Sequence, residues 1–205
     1  MHPLVEPEIS ILINRKIEGG NQTRQSILSH VEAVMPSLEV VDTRYKEYKF
    51  TLFDNISDNS SASRVVLGPP KKLSQAGDLR LSGVLLWTEG RCIDNGIGAN
   101  SMGNPLLSIV WLANFLAEKE QSIPAGSIIM TGGLSKAHPA KPQQSFVAEF
   151  QRKAAIDAME EACIVGLEEN GSQKFKEFID LYMNSKYARP QYLPADTDKG
   201  LKADF

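Results

Sequence analysis

Cysteine and histidine are both scarce in this 205-residue chain. Cys92 and Cys163 form neither a metal-binding nor a redox spacing, and the three histidines, His2, His30 and His138, are too scattered for a zinc cluster. His30 is expected on the first helix as a structural residue. There is no excess of basic charge: 22 Lys plus Arg stand against 25 Asp plus Glu, so the electrostatic footprint of a nucleic-acid binder is missing. No apolar run is long enough for a membrane span, since Pro105 to Leu116 is short and contains Asn114. No signal-peptide pattern and no internal repeat is present, and a reducing cytoplasm is the expected setting. What remains is a slightly acidic chain able to build one domain with a real core, plus an appendage.

Acidic charge is nevertheless placed where it is costly. Glu6 and Glu8, in Leu4-Val5-Glu6-Pro7-Glu8-Ile9, lie one residue apart, and a strand would project both carboxylates from the same face. Their mutual repulsion and lost hydration call for a positive partner, for which a hard divalent cation is suited. An exposed edge strand with two solvated glutamates explains the same spacing. Glu39 adds a third carboxylate inside the β-branched run Ser37 to Asp42, where an unpaired charge would be expensive. Between the two strands, Asn21-Gln22-Thr23 precedes Ile27, Leu28, Val31, Val34 and Met35 at helical spacing, with Pro36 closing the segment. A strand–helix–strand order can bring Glu6, Glu8 and Glu39 together, and three carboxylates with open positions suit Mg²⁺ or Mn²⁺.

Further along, residues 43–53 interleave basic and aromatic residues and read as a strand, with Arg44, Lys46 and Tyr48 on one face and Tyr45, Glu47 and Lys49 on the other. Residues 54–63 read as a loop or helix-capping region and 64–68 as a strand. A hairpin is expected from strands at 79–87 and 91–94 around Glu89-Gly90. The Gly-rich stretch 96–104 lacks the Lys of a phosphate loop and reads as structural. Asn104 and Pro105 cap and open a helix whose apolar side uses Leu107, Val110, Trp111 and Phe115, broadened by Leu106, Ile109, Leu112 and Leu116. Strands follow at 127–131 and 145–150. The pattern then turns helical, over 153–167 and 174–187. The expected organisation is a core at 1–150, a helical extension at 151–189 and a flexible tail at 190–205.

Five blocks, VEPEI (5–9), LEVVDTRY (38–45), KFTLFDNISDNSSASRVVLG (49–68), GNPLLSIVWLANFLAEK (103–119) and AGSIIMTGGLSKA (125–137), together resemble the fumarylacetoacetate hydrolase superfamily. The resemblance is to its branch of 2-oxopent-4-enoate hydratases and 2-oxo-3-hexenedioate (4-oxalocrotonate) decarboxylases. It covers residues 4–150 and implies an α+β fold, a mixed β-roll with flanking helices, here with a helical C-terminal extension. It implies metal ligands at Glu6, Glu8 and Glu39, a polar loop with Asp58 and Ser60 catalytic and Asn59 substrate-binding, and a substrate-carboxylate loop at Thr131, Gly132 and Gly133.

The implied function is a lyase of aromatic meta-cleavage catabolism, using Mg²⁺ or Mn²⁺ on a small 2-oxo (di)carboxylic acid. Decarboxylation of 4-oxalocrotonate is the primary expectation, because a dianionic substrate wants a distal cation: Lys49 as a catalytic residue, with Arg44 binding substrate. A surface role for Lys49 is the alternative. Hydration of 2-oxopent-4-enoate is the second expectation. Family members carry a lysine-bearing segment before the first glutamates and a further Gly-containing strand after the equivalent of Phe150. The third expectation is therefore an inactive paralogue, or a metal-binding subunit of a full-length partner. A homo-oligomer or a complex with a related pathway subunit is expected.

Overall fold

Val5, Ile9, Ile11 and Ile13 give the strand β1 (Leu4–Ile13) a buried β-branched face, and β1 becomes the centre of the larger sheet. The structure, a computed structural model, describes residues 2–151. The expected extension and tail fall outside the described residues, apart from Gln151 at the end of the last strand.

β1 pairs along its whole length with β2 (Val31–Val41), and β3 (Ala62–Leu67) lies beyond β2. The other side of β1 is divided: β6 (Ile128–Met130) covers Ser10 to Leu12, and β7 (His138–Pro139) covers Leu4 and Val5. A second sheet has the order β5-β4-β8, from the hairpin β4 (Gly83–Thr88) and β5 (Arg91–Ile97) with β8 (Phe146–Gln151). Every strand pairing among the described residues is antiparallel. The architecture is α+β, an antiparallel roll with flanking helices: α1 (Arg24–Leu28), α2 (Leu52–Ser57), α3 (Leu73–Ala76) and α4 (Pro105–Ala117).

The divided side of β1 has a local cause. Pro7 carries no N–H, and its carbonyl faces away from β2, so a regular ladder cannot run past it. The gap is closed by the loop after β6, whose Thr131 and Leu134 amides donate to the Ile9 and Pro7 carbonyls at 3.1 and 2.9 Å. The two sheets are also tied by His138 on β7, whose Nε2 lies 2.6 Å from the buried Asp94 carboxylate on β5.

Three local expectations are corrected. The helix expected up to Met35 is only the five residues of α1, opened by a Thr23–Ser26 capping box; Val31 to Met35 belong to β2, where full-length pairing with β1 outweighs the helical spacing. Residues 43–53 are not a strand. A 3₁₀ turn at Lys46–Tyr48 is followed by α2, whose first turn is capped by Thr51 and Asp54. The strand expected from Leu79 begins as a 3₁₀ turn, Leu79–Leu81, and β4 starts only at Gly83.

The orientation of α4 also differs. Asn104 caps it and Pro105 opens it as expected. Its buried side, however, is Leu106, Ile109 and Ala113, packed with Ile11, Ile13 and Leu134, while Leu107, Trp111 and Phe115 are exposed. The helix is apolar almost all round, so its pattern could not choose the face. Ile109→Ala should cost about 2–5 kcal/mol in urea unfolding, as a buried truncation does. Trp111→Ala should cost less than about 1 kcal/mol; the reverse ranking would show that the buried face is misassigned.

Candidate metal centre

Glu6 and Glu8 project from one face of β1, and Glu39 on β2 is the direct cross-strand partner of Glu6. Like charges placed opposite each other across a sheet destabilise it. Here one ligand oxygen from each of the three carboxylates lies within 4.8 Å of the others. Burial, followed by the Glu39 carboxylate, raises the Glu6 pKa from 4.5 to about 7. At Glu8 burial is again the main cause of a rise to about 8; the Gly132 amide opposes it, while Glu39 and Glu6 add to it.

The glycine loop forms one wall. Gly132 donates its N–H to Glu8 Oε2 at 2.8 Å, with φ at +110°, a region open to glycine. A Cβ on Gly133 would stand 2.5 Å from Glu6 Oε2, so a larger residue there would displace the Glu6 carboxylate. Thr131 anchors the loop, its N–H and hydroxyl both donating to the Ile9 carbonyl. Below the acids, Ser10 Oγ donates to Ser37 Oγ at 2.8 Å, which satisfies two buried hydroxyls on the same face.

The donor set fits a hard divalent cation. Oxygen ligands stand about 2.1 Å from Mg²⁺, so opposite ligands are about 4.2 Å apart, within a small side-chain rotation of the observed spread. All three donors are oxygens, with no soft ligand among them.

Arg44, Lys49, Asp58, Asn59 and Ser60 belong to the segment between β2 and β3. Asp58 is buried past the end of β2 and is fully engaged: its Oδ2 accepts from Thr43 Oγ1, the Arg44 amide and Ser61 Oγ, and its Oδ1 pairs with Arg44 Nε at 3.2 Å. Arg44 also donates to the Asp58 and Ala62 carbonyls, so its guanidinium clasps the loop together. Lys49 has a side chain 79% exposed and ion-paired with Glu47. Lys49 follows the 3₁₀ turn rather than lying on a strand. Asn59 and Ser60 are exposed, and with Ser61 they form three consecutive non-glycine residues of positive φ. Such backbone is strained and is enriched at functional sites.

Sequence reasoning missed three polar residues that hold the glycine loop. Asn100 donates to the Leu134 carbonyl at 2.8 Å, and Ser101 and Ser108 both donate to the Thr131 carbonyl. They come from the segment read as a structural loop and from α4. That reading holds for the glycines: a Cβ on Gly96 or Gly98 would overlap the carbonyl of Leu134 or Leu79.

No protein-family model matches the chain. It is 35% identical over 158 residues to a 4-oxalocrotonate decarboxylase of Pseudomonas sp. (strain CF600), covering 77% of this chain and 60% of that protein. It is 33% identical over 144 residues to a 2-keto-4-pentenoate hydratase of Paraburkholderia xenovorans (strain LB400), covering 70% and 54%. The chain thus spans about 60% of the length of the curated relatives it matches. Among solved structures, 4-oxalocrotonate decarboxylase from Pseudomonas putida G7, complexed with magnesium and adipate, superposes with a TM-score of 0.71 at 36% identity, covering 74% of this chain and 57% of the other. A fumarylacetoacetate hydrolase family protein from Yersinia pestis CO92 shares the fold at a TM-score of 0.60 and 14% identity, over 74% and 69%.

The raised carboxylates set a sign for pH dependence. Between pH 4.5 and about 8 the folded, metal-free protein holds more protons than the unfolded chain at Glu6 and Glu8, so this pair's contribution to stability is full below pH 4.5 and is lost as pH rises through about 7 and 8. Millimolar Mn²⁺ should raise the melting temperature by mass action, more at pH 8 than at pH 5.5, because it binds the ionised form. Glu39→Gln should remove most of that rise. A melting curve indifferent to metal at both pH values would sink the cation site.

Proposed function

Since this chain belongs to the fumarylacetoacetate hydrolase superfamily, in its branch of 4-oxalocrotonate decarboxylases and 2-keto-4-pentenoate hydratases, we propose that it is a lyase acting on a small 2-oxo acid, with decarboxylation of 4-oxalocrotonate to 2-hydroxypenta-2,4-dienoate as the reaction. The observation that carries this reading is the convergence of Glu6, Glu8 and Glu39 beside a glycine loop. In this proposal the three carboxylates hold one Mg²⁺ or Mn²⁺. When bound, the cation supplies a Lewis acid that polarises the 2-oxo carbonyl and stabilises the charge developing as CO₂ leaves.

The remaining work falls to the chain's own groups. Gly132 keeps Glu8 in place, and the Gly133 amide, for which no acceptor is found among the described residues, is left for the substrate's 1-carboxylate. Asp58 orders the loop that presents Asn59 and Ser60 to solvent, where they can meet the far end of the substrate. Arg44 and Lys49 are already paired and contribute less to a distal-carboxylate site than their charges suggest. Support for the dicarboxylate substrate comes instead from the relatives: the magnesium complex of the Pseudomonas putida G7 enzyme holds adipate, itself a six-carbon dicarboxylate.

Hydration of 2-oxopent-4-enoate is the second reading, favoured by the 33% identity to a hydratase. Assembly with further copies or a related pathway subunit fits the exposed Leu52, Phe53 and Ile56 on α2. An inactive paralogue or metal-binding subunit is the third.

Purified protein with Mn²⁺ should consume 4-oxalocrotonate, followed by ultraviolet absorbance and CO₂ release. Glu39→Gln should lower kcat/KM at least about 100-fold, equivalent to ~2.7 kcal/mol of transition-state stabilisation. Turnover of 2-oxopent-4-enoate alone would establish the hydratase reading. Mn²⁺ binding without turnover of either substrate would leave the subunit reading.

A further inference from the structure

Two hydroxyls converge on one carbonyl beside the carboxylate triad. Ser101 Oγ and Ser108 Oγ both donate to the Thr131 carbonyl oxygen, the second at 2.7 Å, and the hydroxyls stand 3.2 Å from each other. Ser101 and Thr131 are each only 4% exposed. The carbonyl they hold belongs to the same peptide unit as the Gly132 N–H, which donates to Glu8 Oε2 at 2.8 Å. We infer that Ser101 and Ser108 are positioning residues for Glu8, acting through the Thr131–Gly132 peptide.

A trans peptide is planar, and its C=O and N–H point in opposite directions. Fixing the carbonyl toward Ser101 and Ser108 therefore fixes the N–H toward Glu8. The alternative orientation, flipped by half a turn, would aim the carbonyl oxygen at a cluster of three carboxylates. Local backbone sterics do little to forbid it, because a flip changes mainly the ψ of Thr131 and the φ of residue 132, and glycine accepts either sign of φ. The preceding peptide is held separately, by the Thr131 N–H on the Ile9 carbonyl. The hydroxyl pair is thus the restraint specific to the Thr131–Gly132 plane. Each donated bond also polarises the peptide and strengthens its N–H as a donor. The consequence for metal affinity rests on the reading of Glu6, Glu8 and Glu39 as cation ligands; the orientation of the peptide does not.

The test uses the full chain carrying Ser101→Ala and Ser108→Ala together, with Ser108→Thr as the variant that keeps the hydroxyl. Amide hydrogen exchange is measured without metal at Gly132 and, for comparison, at Ile129 in β6. Mn²⁺ affinity is measured by calorimetry. The double variant should accelerate exchange at Gly132 about tenfold or more with little change at Ile129, and weaken Mn²⁺ binding about tenfold, as loss of a ligand's supporting hydrogen bond does. Ser108→Thr should keep both near the unmutated values. Unchanged Gly132 exchange in the folded double variant overturns the inference, as does equal acceleration at both amides, which marks general loosening. If the unmutated protein takes no Mn²⁺, the cation reading fails and Gly132 exchange alone decides the positioning role. Should the double variant not fold, Ser108→Ala alone is measured by the same comparison of the two amides.

Discussion

Glu6 and Glu39 face each other across an antiparallel pair, with Glu8 two residues away on the same side, and this enforced repulsion organises the centre of the protein. A sheet places such residues in contact only when its register is held by something stronger. Here the register is set by the opposite face of β1, where Ile9, Ile11 and Ile13 are almost fully buried against α4 and the second sheet. A one-residue slip would exchange the two faces, sending the carboxylates into that core. The apolar face thus holds the acidic face in a state that the acids alone would not choose, and burial raises their proton affinity as a result.

The break in β1 beside these acids is equally consequential. Pro7 denies the ladder a donor between β6 and β7, and the chain fills the gap with a loop rather than a strand. A regular strand in that place would turn alternate amides away from the acids and leave side chains crowding Glu6. A loop containing Gly132 and Gly133 brings backbone to the carboxylates instead. Its carbonyls are taken up by Asn100, Ser101 and Ser108, so the wall of the site is built from three separate stretches of chain.

The segment between Thr43 and Ser61 follows a different logic. Asp58 gathers two hydroxyls, an amide and a guanidinium around one buried carboxylate, and this network fixes the loop past the end of β2. A charge that looks available for a substrate in the one-dimensional pattern, Arg44, is consumed in that network. The signal for α2 was present in the sequence, since Thr51 with Asp54 three residues on is a helix-start pattern. The alternation of basic and aromatic residues before it carries the competing signal of a strand.

The sequence by itself determined the elements whose pattern is local and unambiguous. The period-two placement of Glu6 and Glu8, the β-branched run around Glu39, the hairpin at Glu89-Gly90 and the Asn104-Pro105 helix start each state their structure within a few residues. Only the tertiary structure decided which face of α4 is buried, because a helix apolar on nearly every side is oriented by the surfaces it meets. The same holds for β2, where pairing with β1 along the whole strand overrode a helical spacing ending at Met35. It holds most of all for Ser101 and Ser108, whose partner at Thr131 lies 30 and 23 residues away. Hydrogen bonds of that span leave no periodicity in the chain, since their geometry exists only after the sheets have closed around the loop.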